Sequence, residues 1–290
     1  MKALYDVPAP AKLNLFLHVT GRREDGYHLL QSAFMLIDWC DTLHFETRAD
    51  GQISREDLGP ALPADDLIVR AARALQSAAG SALGAHIAVD KRIAAQAGMG
   101  GGSSDAASCL LALNRLWRLD LALSTLEQIG LQLGADVPFF LRGRNAWVEG
   151  IGEKITPLSG EFELPAARFC VVKPAAGLDT RMIFAANELK RDTKTATISD
   201  FAANPYGFGL NDLQPVAQRL CPEVTQALQW LESQGMQARM TGSGSAVFAQ
   251  MLQPAELASA PGAWTIRQCS NLDAHPLLGW APSDNSSVGV

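Results

Sequence analysis

Apolar and polar residues alternate over 9–19. Leu13, Leu15, Leu17 and Val19 fall on one side of an extended chain, and Lys12, Asn14, Phe16 and His18 on the other. The pattern predicts a strand and leaves its second face open. That face is either a polar side turned to solvent, or it carries an amine and an amide into one cleft. Gly21 to Gly26 brackets four charged residues and reads as a loop. Tyr27 and His28 at its exit are either an ordinary strand start or a ring and an imidazole that stack on and read a flat base. Ala33–Ile37 and Thr42–Thr47 read as a hairpin turning at Asp38-Trp39-Cys40-Asp41. Residues 50–63 are turn-rich, with weak strand signal at Ile53. Leu67, Ile68, Ala71, Ala72, Leu75 and Ala79 fall at helical spacing behind Asp65 or Asp66 as cap, with Gly80 and Gly84 ending the helix. His86–Ile93 reads as a strand.

That strand leads into Gln96-Ala97-Gly98-Met99-Gly100-Gly101-Gly102-Ser103-Ser104-Asp105, four glycines in five residues, and then a helical pattern through Ala106, Ala107, Leu110, Leu113, Leu116 and Trp117. Ser103 or Ser104 is the expected N-cap, and Asp105 the expected first-turn charge. Glycines without Cβ atoms before a helix N-terminus let backbone N–H groups and the dipole approach an anion. A plain tight turn is the alternative. No Lys follows the glycines, and position 103 is Ser, so the stretch fits neither the Walker nor the dinucleotide pattern.

Farther on, Ser124-Thr125-Leu126-Glu127 reads as a capping box. Asp136 stands between a helix end and the apolar Val137-Pro138-Phe139-Phe140, either as the cap of a short helix or as a functional carboxylate. A first domain is expected to close near residue 165. Beyond it, the pattern predicts a strand at Phe169–Lys173 and a helix capped by Asp179 or Thr180 that runs through Phe184 and Leu189. Residues 190–197 read as an exposed linker, and helices as starting at Asn211–Leu213 and Pro222. Thr241-Gly242-Ser243-Gly244 separates two short strands and can either turn tightly or offer N–H groups to a ligand. A last strand is expected at Trp264–Cys269 and a frayed end at 283–290.

A 290-residue chain that is 48% hydrophobic can bury a large core in one or two domains. A formal net charge of -6 and no basic tract argue against nucleic acid as partner. Five scattered cysteines without a C-x-x-C suggest a reducing compartment and no disulfide framework. No signal-like or membrane-spanning run is seen, so a cytoplasmic protein, monomeric or weakly dimeric, is expected.

Taken together, Pro10-Ala11-Lys12-Leu13-Asn14-Leu15, Gly98 to Ser104 and Thr241 to Gly244, in that order, resemble the GHMP small-molecule kinases. Gly21 to Leu29, Ala135 to Phe140, Asn211-Asp212-Leu213 and His275-Pro276-Leu277 narrow the resemblance to the branch acting on a cytidine-diphosphate methylerythritol. The resemblance implies an α+β fold of two domains: an N-terminal ATP-binding domain, 1–165, and a C-terminal ferredoxin-like domain, 166–290, with the active site in the cleft between them. It implies ATP-dependent phosphorylation of a 2-hydroxyl in the non-mevalonate isoprenoid route. It makes Asp136 the base and Lys12 its partner. It assigns Ala94, Ala95, Gln96, Ala97, Gly98, Met99, Gly100, Gly101, Gly102, Ser103 and Ser104 to ATP. Asn14, Tyr27, His28, Phe184, Gly242 and Ser243 go to the acceptor, with Tyr27 and Phe184 sandwiching the base and His28 reading its edge. Mg²⁺ accompanies ATP, with Ser104 as candidate ligand. Ala94 and Met99 depart from the family's usual Pro and Leu. Another kinase of this fold, or a non-catalytic nucleotide binder, are the rival readings. Tyr27-His28 speaks against the first, and the joint presence of Lys12 and Asp136 against the second.

Overall fold

The computed structural model describes residues 2–253 and 256–284. Two long strands, β1 (Ala3–Arg22) and β2 (His28–Arg48), form the antiparallel frame. β3 (Ile53–Asp57), β4 (Gly84–Asp90), β5 (Ala146–Gly150) and β6 (Lys154–Pro157) complete a sheet of order β3-β4-β2-β5-β6, with β1 on the other edge of β2. One face of this sheet is covered by α1 (Leu67–Ala79), α2 (Gly101–Leu116), α3 (Leu123–Leu133) and α4 (Val137–Arg142).

The second sheet has the order β10-β7-β9-β8, from β7 (Arg168–Lys173), β8 (Ala238–Met240), β9 (Val247–Met251) and β10 (Thr265–Ser270), all antiparallel. In chain order of its strands this is 4-1-3-2, the ferredoxin-like arrangement. The described residues between β9 and β10 form no helix there. Between β7 and β8 lie α5 (Thr180–Ala185), α6 (Ile198–Ala202), α7 (Gln214–Leu220) and α8 (Pro222–Ser233). A core built from both sheets joins them: Leu13, Leu15, Phe16, Met35 and Trp147 pack with Phe169, Val171, Phe201 and Phe248. The chain then returns to the first unit. His275 N–H donates to Gly143 O (2.9 Å), and Leu277 joins the core under the first unit's helices.

Several expectations are corrected. No hairpin forms at Asp38–Asp41. β2 runs through, and between the pairs Pro10–Cys40 and Lys12–Leu36 it advances four residues against two on β1. The surplus bulges toward the second unit, where Asp38 accepts from Ser270 N (2.9 Å) and Ile37 bridges Asn271. The second face of β1 is not turned to solvent, since Lys12, Asn14, Phe16 and His18 are all buried. The capping box at Ser124 does not form. α3 starts two residues earlier, with Ala122 in the N-cap position, and the Ser124 hydroxyl donates to Asp284. Residues 190–197 are not a free linker, because Thr193 N–H donates to Val19 O (3.1 Å) and Ala196 N–H to Gln31 Oε1 (2.8 Å). The expected frayed end lies, from 285 on, outside the described residues. Among the described residues no helix is long and apolar enough to cross a membrane.

Candidate active site

The outer edge of β1 receives the site. Lys12 N–H donates to Met99 O (3.0 Å), which lays the glycine stretch along the strand. The turn between β8 and β9 packs on the same stretch: Ser245 N–H donates to Gln96 O (3.2 Å) and Ala246 N–H to Ala97 O (3.2 Å). Contact is so close that a Cβ on Gly98, at φ +71, would stand 2.2 Å from Thr241 O. Only glycine fits there.

α2 begins at Gly101, not at the serines. Gly100 is its N-cap, at φ 70, and no side chain caps the helix. The first N–H groups of the helix therefore have no acceptor within it. They face a cleft of about 800 Å³ lined by 94–103, Asp66, Lys91, Asp105, Thr180 and Ser243. Ser104 is the exception among the expected ATP residues. It is fully buried, and its hydroxyl donates to Pro10 O (2.7 Å) on the side of α2 that faces the sheet, which removes it as a magnesium ligand. Asp105 is likewise no exposed first-turn charge. It is buried against Lys91 Nζ (2.5 Å), whose ammonium also bonds Asp41. Asp41 Oδ1 takes the N–H groups of Arg92 (2.5 Å) and Ile93 (2.7 Å) at the entry to the glycine stretch. Burial depresses the Lys91 pKa, but Asp105 and Asp41 outweigh it, so the ammonium is held charged. Burial raises the Asp105 pKa, and Asp41 opposes Lys91 there.

A second cavity, about 240 Å³, adjoins the first across Gly98, Gly100, Thr180 and Ser243. Lys12, Asn14, Ser32, Phe34, Asp136 and Gly242 line it. Asp136 occupies the N-cap position of α4 but makes no capping bond. Its Oδ2 lies 3.8 Å from Lys12 Nζ. That ammonium is buried, bonds Asn14 Oδ1 and Gly98 O (3.0 Å), and sits 4.8 Å from the Phe34 ring centroid. Burial lowers the Lys12 pKa and Asp136 pulls it back up. Asn14 is fixed by Thr241 Oγ1, which accepts from its N–H (2.9 Å), and by Ser32 Oγ, which accepts from Nδ2 (2.9 Å).

A third cavity, about 510 Å³, continues past Leu30, Ile151, Thr180 and Phe184 to Tyr27 and His28. The His28 and Phe184 rings lie 5.0 Å apart at 32°, while the Tyr27 ring is largely exposed across the cavity mouth. The expected site residues thus line one continuous trough, Ser104 excepted. Residues to which the sequence reading assigned no role at the site are Thr180, which lines all three cavities and shares a hydrogen bond with Ser243 (2.7 Å), Ser32, Lys91 and Arg191. Thr180 and Lys91 stood in the sequence only as a helix cap and a strand end, and no local pattern marks their convergence.

Comparison with known proteins now bears on this trough. Residues 66–144 match the model of the GHMP kinases N terminal domain, and residues 194–265 that of the GHMP kinases C terminal domain. The chain belongs to the GHMP kinase family. A 4-diphosphocytidyl-2-C-methyl-D-erythritol kinase of Albidiferax ferrireducens is 69% identical over 289 residues, which is 100% of this chain and 99% of the relative. One of Variovorax paradoxus is 67% identical, across 97% and 100%. A crystal structure of 4-(cytidine 5'-diphospho)-2C-methyl-D-erythritol kinase superposes with a TM-score of 0.74 at 33% identity, covering 91% of this chain and 98% of the other. Homoserine kinase from Cytophaga hutchinsonii, at 12% identity and a TM-score of 0.66, shares the fold.

Proposed function

We propose that this protein transfers the γ-phosphoryl group of ATP to the 2-hydroxyl of 4-diphosphocytidyl-2-C-methyl-D-erythritol, in the non-mevalonate route to isoprenoids. The observation that carries the reading is the Lys12–Asp136 pair, set in the small cavity between the anion cleft and the aromatic cavity. The relatives' names supply the acceptor. The two domains are taken as 1–165 and 166–290, and the protein as a cytoplasmic monomer or weak dimer.

ATP lies along 94–103 with its phosphates on the free N–H groups of α2. Phosphoryl transfer through a loose transition state depends on positioning and charge more than on covalent help. Asp136 accepts the proton of the acceptor hydroxyl. Lys12 offsets negative charge on the oxygens in flight, and Asn14 holds Lys12 in place. Gly242, Ser243 and Thr180 line the crossing between the two compartments. Tyr27, Phe184 and His28 take the cytosine. Magnesium needs few protein ligands when a triphosphate carries it. The cleft fits it through the Ser103 hydroxyl and Asp105, whose buried Oδ1 has no partner among the described residues. Its chemistry would be to neutralise phosphate charge.

The deciding assay is ADP release with Mg-ATP over a panel of alcohols: the cytidylyl compound, mevalonate, homoserine and a hexose. Turnover confined to the cytidylyl alcohol is expected. Turnover of mevalonate or homoserine instead favours another kinase of this fold, and no ADP with any alcohol favours a simple nucleotide binder.

A further inference from the structure

Arg191 follows α5 and belongs to neither the glycine stretch nor the Lys12–Asp136 pair. Its guanidinium is half-buried and fully engaged. Nη1 donates to Leu189 O (2.9 Å) and Asn187 O (3.3 Å), and Nη2 to Ala186 O (2.7 Å) and Phe184 O (3.3 Å). Nε donates to His28 Nε2 at 3.0 Å. Arginine has only donors and keeps its proton. The histidine nitrogen that faces it must therefore accept, so it carries no hydrogen. A neutral imidazole holds one N–H, which then sits on Nδ1. The doubly protonated ring is disfavoured by burial, by Arg191 and by Arg22. With Nε2 taken, Nδ1–H is the one ring group His28 has left for the cavity it lines.

We propose that Arg191 is a positioning residue that locks His28 in its Nδ1–H form and thereby makes the aromatic cavity select cytosine over uracil. The proposal rests on the cytidylyl reading above. Cytosine presents acceptors at ring N3 and O2, whereas uracil carries a hydrogen on N3. A fixed donor pairs with the first edge and meets a second donor on the other. The Nε2–H form would turn Nδ1 into an acceptor and reverse the preference. The same guanidinium grips the carbonyls of Phe184 and Ala186, so the ring over His28 and the tautomer of His28 are set by one group.

Two measurements on the full-length protein test this. The first is ¹⁵N NMR of the imidazoles, with His28 assigned through His28→Gln. Wild type should show a protonated Nδ1 and a bare Nε2. The Nε2–H form in active enzyme overturns the proposal and leaves the function standing. The second is kinetics with the cytidylyl alcohol and its uridylyl counterpart. In Arg191→Ala the ratio of their kcat/KM values should fall about ten- to a hundredfold. The fall should come through KM for the cytidylyl compound, with kcat within about threefold. Arg191→Lys, which also only donates, should keep most of the discrimination. An unchanged ratio in Arg191→Ala overturns the proposal. Wild type with the Nδ1–H form that phosphorylates no cytidylyl alcohol overturns the function, and base selection with it.

Discussion

Lys12 and Asp136 are close to the limit of what single residues disclose. The alternation of 9–19 put Lys12 and Asn14 on one face of a strand, but nothing local said that this face was covered. Asp136 looked like a cap and stands in a cap position, yet its carboxylate turns to Lys12. Long-range approach decides both, and only the collinear order of several motifs made it legible. Asp136→Asn should cut kcat by about 10²–10⁴-fold while calorimetry shows ATP binding unchanged. Turnover near wild type would remove its role. A second prediction concerns His275. Burial pushes its pKa down to about 3 from an ordinary 6.5. Its Nδ1 accepts from Leu277 N–H (3.0 Å), and Nε2 has no described partner. Below pH 6.5 the unfolded chain binds a proton that the folded protein refuses until about pH 3, so stability falls as pH drops through that window. The slope approaches about 1.4 kcal/mol per pH unit. Denaturant titrations at pH 7, 5.5 and 4.5 should show it, and His275→Asn should flatten it. An equal slope in both proteins would dismiss His275 as the cause.

At the scale of elements, the glycine stretch was read as a phosphate cradle before a helix. The geometry agrees in kind and differs in detail. The N-cap lies three to four residues before the expected serine, because Gly100 at φ 70 takes that place and leaves the first N–H groups uncovered. A serine cap would have consumed one of those donors. The glycines are therefore not equivalent. Gly98 is packed against Thr241, whereas a Cβ on Gly102 would meet only Leu67 Cδ1 at 3.5 Å. Gly98→Ala should lower the melting temperature and raise KM for ATP together. Gly102→Ala should stabilise α2 by about 0.5–1 kcal/mol and still raise KM for ATP, since a methyl group then stands in front of the phosphates. Thermal scans beside ATP titrations separate the two. Parallel behaviour of the variants would refute this division. The capping box failed for a similar reason: Ser124 finds Asp284, far away in sequence, and propensity yields to that contact.

At the scale of the whole molecule, the alternating β and α patterns carried the α+β class. They could not carry the arrangement of the two sheets, which depends on a shared core. Phe16 from β1 and Phe201 from α6 lie 5.8 Å apart within it, and the helix bearing Phe201 was not foreseen. Buried Arg239 of β8 donates to Leu15 O of β1 (2.6 Å) and to Phe208 O (2.6 Å), a tie between the units that no local pattern announces. With this core common to both sheets, heating should unfold the molecule in one transition, with equal calorimetric and van't Hoff enthalpies. Arg239→Met should lower the midpoint without splitting it. Two resolved transitions would show that the units hold independently.

The outer edge of β1 has a further consequence. A strand of 20 residues at a sheet margin is a template on which another chain can pair. Here much of its backbone from Pro8 to Val19 is occupied, in part by stretches at the site: Pro8 and Pro10 carbonyls by Ser108 and Ser104, Lys12 N–H by Met99, Asn14 N–H by Thr241, Leu17 by Leu210 and Asp212, and Val19 by Asp212 and Thr193. The glycine stretch and the turn after β8 thus also help to keep this edge from joining a neighbour. A lesion in these two stretches therefore threatens solubility as well as rate.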